Sequence, residues 1–101
     1  MTDAIDVVDE PEQHRFRYTE DGIDAQLVYR VDGDRLALVH TEVPDALGGR
    51  GIAGRLVRAA AERAAATGET VLPWCPYARK WLKDHPDVAG GIAIDWSAPP
   101  R

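Results

Sequence analysis

The chain has one cysteine, Cys75, one methionine and one phenylalanine among its 101 residues. A lone thiol closes no disulfide within the chain and builds no multi-cysteine metal site, so no metal centre is expected and a reducing compartment fits. No apolar run approaches the ~20 residues that cross a bilayer. The opening MTDAIDVVDE is acidic and lacks the basic start and apolar middle of a secretory signal. The expectation is a cytoplasmic protein without a membrane partner. Also missing is the pattern Gly-x-x-x-x-Gly-Lys-Ser/Thr, which turns the reading away from nucleoside triphosphates. Cations are in the minority, with 12 Lys and Arg against 17 Asp and Glu for a net charge of −5, which argues against a nucleic-acid partner.

What is present is an ordinary globular composition, 45% hydrophobic and 29% charged. A chain of this length buries roughly 60 to 70% of its unfolded surface, which suits one core. Residues 1–13 are acidic and contain Pro11, so a flexible lead segment is expected there, with residues 14–101 as one domain. Asp21-Gly22 and Asp32-Gly33 separate runs that read as strands over Arg15–Glu20, Ile23–Val31 and Arg35–Val43, the pattern of an antiparallel meander. Alternation in the third run puts Leu36, Leu38 and His40 on one face. Beyond the loop Pro44–Arg50, Ile52, Leu56, Val57, Ala60 and Ala64 recur at helical spacing, predicting a helix over Gly51–Thr67 that Gly68 ends. A short strand Thr70–Leu72 follows, broken by Pro73-Trp74-Cys75-Pro76, then a helix Tyr77–Asp84 and a strand Gly91–Trp96; Pro99-Pro100 ends regular structure. The order β-β-β-α-β-α-β indicates an α+β sheet with helices packed on it.

Gly48, Gly49, Gly51 and Gly54 crowd the entrance to the long helix. Glycine admits positive φ and close approach of a ligand, and the free N–H groups of a first helical turn attract anions. The same stretch is a basic island: Arg50, Arg55, Arg58 and Arg63 stand against Glu62 alone, a net +3 that leaves −8 for the rest of the chain. Cations at a helix N-terminus oppose the dipole by roughly 0.3 to 1 kcal/mol each. Either a polyanion joins them, or they are simply solvated or paired with acidic side chains elsewhere in the chain. A diphosphate such as that of coenzyme A suits the first alternative.

The stretch LGGRGIAGRLV, Leu47 to Val57, resembles motif A of the GCN5-related N-acetyltransferases, Gln/Arg-x-x-Gly-x-Gly/Ala, with Gly51 and Ala53 at the last two fixed positions and Gly48 in place of Gln or Arg. His40-Thr41-Glu42-Val43-Pro44, Pro73-Trp74-Cys75-Pro76-Tyr77 and His85-Pro86 resemble the small YjdJ-type subfamily, over roughly Phe16 to Asp87. The resemblance implies a minimal version of that fold: a mixed, mostly antiparallel sheet with a long motif A helix and a short second helix. It implies an acyl-coenzyme A, acetyl-coenzyme A above all, lying in a V-shaped opening between two parallel strands. Glu42 and Val43 would then flank the pantetheine arm, with Gly49, Arg50, Gly51, Ile52, Ala53, Gly54 and Arg55 at the pyrophosphate. Larger members carry helices between their first two strands that wall the acceptor site, whereas here only Asp21-Gly22 separates the strands.

Acetyl transfer to an amine requires a positioned thioester, a base for the ammonium proton and an acid for the departing sulfur. His40 is a candidate base, since the imidazole of histidine suits proton transfer near neutrality, and Glu42 is another, acting directly or through water. Cys75 reads as a nucleophile, as an acid, or as a buried small apolar side chain. Tyr77 reads as an acid for the thiolate or as a packing ring. Two functions stand side by side: an acyl-coenzyme A-dependent N-acetyltransferase acting on an amine, free or on a peptide or protein, and a noncatalytic module that binds acyl-coenzyme A or a partner protein in the same cleft.

Overall fold

A computed structural model describes residues 7–97. The elements are β1 (Val7–Glu10), β2 (Arg15–Glu20), β3 (Ile23–Asp32), β4 (Arg35–Glu42), α1 (Ile52–Thr67), β5 (Thr70–Pro73), α2 (Pro76–Asp84), α3 (Pro86–Ala89) and β6 (Ala93–Ile94), with 3-10 turns at Pro11–Gln13 and Asp45–Leu47. The strands lie in chain order in one sheet, antiparallel from β1 to β4 and parallel from β4 to β6. This is the expected mixed, mostly antiparallel α+β architecture. Asp21 and Gly22 take φ of 52° and 76°, so both central residues of the β2–β3 turn are left-handed, as a two-residue turn between twisted strands requires.

The expected flexible lead is corrected where the structure describes it. Residues 7–10 form an edge strand on β2, with Val7 opposite Tyr18 and Glu10 opposite Arg15. Its acidity is what attaches it: the Glu10 carboxylate accepts from Arg15 and Arg17, both at 2.8 Å, and Asp9 accepts from Arg63 at 3.0 Å and from the Tyr29 hydroxyl. Residues 1–6 and Pro99-Pro100 lie outside the described residues. The last strand shortens to Ala93–Ile94, because the turn that closes α3 takes up Gly91 and Ile92, whose N–H groups donate to the Val88 and Ala89 carbonyls.

Two crossovers, β4-α1-β5 and β5-α2-α3-β6, step the same way along the sheet. Right-handed connections place their helices on the same face, and an ideal Cβ on Gly54 of α1 would stand 2.5 Å from the Trp81 indole nitrogen of α2, so the two helices meet there. Phe16, Tyr18, Ala25, Leu27, Tyr29, Leu36, Leu38 and Val71 of the sheet pack with Ile52, Leu56, Val57, Ala60 and Ala64 of α1 and Ala78 and Leu82 of α2. The other face carries no helix among the described residues.

One irregularity decides which face the candidate site residues occupy. Leu38 pairs with Tyr29 and His40 with Val28, so Val39 is an extra residue in β4, a bulge. Beyond it the alternation is inverted: Thr41 lies opposite the buried Leu27, on the helix side, and His40 joins the open face. The expected grouping of His40 with Leu36 and Leu38 is therefore corrected, because a bulge shifts the period-2 count by one.

Candidate functional site

β4 and β5 part company at this bulge. Their pairing runs from Arg35 with Thr70 to Leu38 with Pro73. One further main-chain bond, Cys75 N–H to the Leu38 carbonyl at 2.8 Å, closes the corner before Pro76 starts α2. Past Leu38, β4 runs on to Glu42 while β5 has turned away into a helix.

In the angle between them lies a concavity of about 280 Å³ lined by Val43, Leu47, Gly49, Gly51, Ile52, Ala53 and Tyr77, among others. It brings together one end of the β4 extension, the glycine turn and the first turn of α2. Gly49 and Gly51 have φ of 76° and 73°, and a Cβ on either would meet nothing within 4 Å, so the backbone faces open space. Gly51 caps α1, and the first helical bond is Arg55 N–H to the Gly51 carbonyl at 3.1 Å. By helical geometry the N–H groups of Ile52, Ala53 and Gly54 have no intrahelical acceptor. A seat of free N–H groups at the positive end of a 16-residue helix fits a diphosphate.

Residues 15–90 match the GCN5-related N-acetyl-transferase family. The chain belongs to that family. Protein NATD1 of Gallus gallus is 41% identical over 63 residues, 61% of this chain and 57% of that protein. The proteins of the same name from Mus musculus and Homo sapiens are also 41% identical over 63 residues, covering 57% and 56% of their lengths. The match thus spans little more than half of these curated relatives. Within the family frame the helix α1 is the motif A helix, and the glycine turn before it is the motif A loop.

The structure gathers some of the sequence-derived site residues and separates others. Val43, Gly49, Gly51, Ile52, Ala53 and Tyr77 share the concavity. Tyr77 is the second residue of α2 and 42% exposed; burial of its ring, with the nearby Cys75 thiol adding to it, pushes its phenol above the ordinary 10. It therefore keeps its proton at neutral pH, and it lines the concavity together with the glycine turn. Gly54 is buried, and its missing side chain makes room for Trp81, which stacks on His85 at 3.8 Å with Arg58 over its ring at 5.5 Å. Arg50 turns aside to bind Glu20, whose carboxyl is held below the usual range by the Tyr18 hydroxyl and by Arg50. The basic island is thus partly paired within the chain, since Arg63 likewise binds Glu69 at 2.9 Å. Arg55 is exposed.

Cys75 and His40 do not meet. Cys75 is 4% exposed within the core and its sulfur lies 3.3 Å from the Thr41 hydroxyl, across the parting of the strands. Of its three readings, the small buried side chain matches the position. His40 stands on the open face, where its Nε2 lies 3.1 Å from Glu42 Oε2. Glu42 is held on its other oxygen by the Gln26 amide at 2.7 Å, and Gln26 in turn accepts from Arg15 at 3.1 Å. These hydrogen bonds, Gln26's first and His40's second, hold the Glu42 carboxyl below its ordinary range. Glu42 and Val43 also line an open hollow of about 610 Å³ with Arg15, Asp24, Gln26, Thr41 and Pro44. Farther along the same face, Ala37, Val39, Leu72 and Trp74 floor a groove of about 910 Å³ rimmed by Arg30 and by the Arg35–Asp95 pair.

Sequence reasoning missed Gln26 and Thr41. Gln26 was accessible to it, as a long amide between apolar positions 25 and 27 of a strand read as buried on one side. Thr41 was not, since its helix-side position depends on the bulge at Val39.

Proposed function

We propose that the chain is an acyl-coenzyme A-dependent N-acetyltransferase of the small YjdJ-type subgroup, working in the cytoplasm on an amine, free or carried by a peptide or protein. One observation carries this reading: the motif A turn, Val43 and the Tyr77 phenol share one concavity at the point where β4 and β5 separate. The ligand would supply the activated acyl group. The free N–H groups of Ile52, Ala53 and Gly54 would hold its diphosphate, and Val43 would flank the arm leading to the thioester. Tyr77, protonated at neutral pH, would offer its hydroxyl to the departing sulfur. On the open face, His40 and Glu42 would receive the ammonium proton.

Release of free thiol from acetyl-coenzyme A, measured against a panel of amines and peptides, tests the reading. The parent is expected to turn over with at least one acceptor, and Tyr77→Phe to be slower by about 10²-fold while staying folded. Equal rates in the two would remove Tyr77 from the chemistry, and no thiol release with any acceptor would remove the activity. The noncatalytic module is favoured by a specific feature: β2 and β3 are joined by two residues alone, so no helix among the described residues covers the open face where an acceptor would sit. That reading requires coenzyme A to bind without turnover.

A further inference from the structure

Glu42 is clamped on both oxygens, and the clamp reaches across four strands. Glu10 of β1 accepts from Arg15 of β2 at 2.8 Å; Arg15 donates to the Gln26 carbonyl oxygen on β3 at 3.1 Å; the Gln26 amide donates to Glu42 Oε1 on β4 at 2.7 Å; and Glu42 Oε2 faces His40 Nε2 at 3.1 Å. Each donor in the series is matched to an acceptor, which fixes the directions. The guanidinium has only donors, so the Gln26 oxygen must face Arg15, and its NH₂ must then face Glu42. An ionised carboxylate has only acceptors, so the His40 nitrogen turned to it must carry the hydrogen.

From this geometry we infer that Gln26 is a positioning residue: through Glu42 it fixes the His40 ring with its proton on Nε2, leaving the Nδ1 lone pair free as the base for the acceptor ammonium. The inference rests on the acetyltransferase reading for its chemical use. His40 Nδ1 takes one proton from the ammonium, and the freed nitrogen lone pair forms the C–N bond. The bond from the acyl carbon to sulfur breaks, and the sulfur leaves with that electron pair and the Tyr77 proton, which the second nitrogen proton replaces. His40 is the right group for the task by place, two residues past Leu38, where β4 loses its β5 partner. A base oriented by a hydrogen-bonded carboxylate is a recurring catalytic arrangement. Without the clamp, a contact whose members are 57% and 56% exposed would exchange freely with water. The Gln26 bond removes that freedom from one partner. Other charges on this face are Asp24 and Arg30 of β3, Arg15 and Arg17 of β2, both bonded to Glu10, and the Arg35–Asp95 pair, while Leu72 of β5 and Trp74 just beyond it add none.

The test uses the full chain and three variants, Gln26→Leu, Gln26→Glu and Glu42→Gln, with kinetics and with nitrogen NMR of the His40 ring. Gln26→Leu is expected to lower kcat by about 10- to 100-fold, the cost of a misaimed base, with KM for acetyl-coenzyme A unchanged. In the parent the two ring nitrogens should be sharply distinct, with the hydrogen on Nε2, and Glu42→Gln and Gln26→Leu should both bring them closer together. Gln26→Glu keeps the acceptor for Arg15 but sets a second carboxylate against Glu42, and should fail to restore the rate. Thermal unfolding of each variant separates lost folding from lost positioning. A parent that transfers acetyl groups but carries the hydrogen on Nδ1 overturns the inference alone, as does a Gln26→Leu variant with the parent's ring signals and rate. A parent that transfers no acetyl group overturns the functional reading and the base role with it.

Discussion

The two faces of the sheet are built on different terms. On the helix side, apolar residues alternate through β2, β3 and β4 and meet two helices, so that Phe16, Leu27, Tyr29, Leu36, Leu38 and Leu56 are at most 2% exposed. On the open side the same strands present Arg15, Arg17, Asp24, Gln26, Arg30 and Glu42, with Val28, Val39 and Trp74 half-buried among them. One face is held by burial and the other by hydrogen-bonded charges, which contribute little to stability and much to the placing of side chains. The candidate chemistry follows this division. The glycine turn and Tyr77 belong to the helix layer and to its rigidity, whereas His40, Glu42 and Gln26 belong to the face that an acceptor can reach.

If that division holds, truncations to alanine must differ by face. Leu56→Ala removes a fully buried side chain and should cost about 3 kcal/mol in urea unfolding, whereas Val39→Ala on the open face should cost under about 1 kcal/mol. Similar losses at the two sites would mean that the open face is covered. Arg63→Ala comes next, at about 2 kcal/mol, because it strands the largely buried Glu69 carboxylate and takes one donor each from Asp9 and the Tyr29 hydroxyl. The accompanying pH dependence has a definite sign. Arg63 above all, and Thr67 after it, hold the Glu69 carboxyl below its ordinary 4.5, against the effect of burial. Its contribution is therefore complete above pH 4.5 and lost as pH falls through the lower folded value, and an acid titration of Arg63→Ala should lose that part of the slope. Cys75→Ala should cost about 1 kcal/mol, with no acyl adduct in either protein by intact mass. An adduct on the parent that the variant lacks would restore the nucleophile reading.

Much of the fold could be read from local signals. Asp21-Gly22 placed the first turn, and the spacing from Ile52 to Ala64 placed α1 within one residue of its start. Motif A pointed to the glycine turn, and five of the residues assigned to it or beside it do share one concavity with Tyr77. What escaped was set by distant partners. β1 has no apolar pattern of its own, and its place depends on Arg15, Arg17 and Arg63, the last far away in sequence. The bulge at Val39 leaves no local mark, yet it moves His40 to the opposite face from Cys75's partner Thr41. Gly54 reads as part of a phosphate loop and also serves the packing of Trp81, which only the meeting of α1 and α2 reveals.

If a coenzyme A diphosphate sits on the first turn of α1, as proposed, a single substitution separates that site from every fold-level explanation. Ala53→Glu places a carboxylate in the first helical turn, where the dipole favours it by roughly 0.3 to 1 kcal/mol, and directly in the concavity that the diphosphate would enter. Calorimetric titration of coenzyme A into the parent and into Ala53→Glu, with a melting curve for each, should show binding only in the parent and a variant at least as stable. Equal affinity in a folded Ala53→Glu, or no heat from the parent at millimolar coenzyme A, would contradict the account.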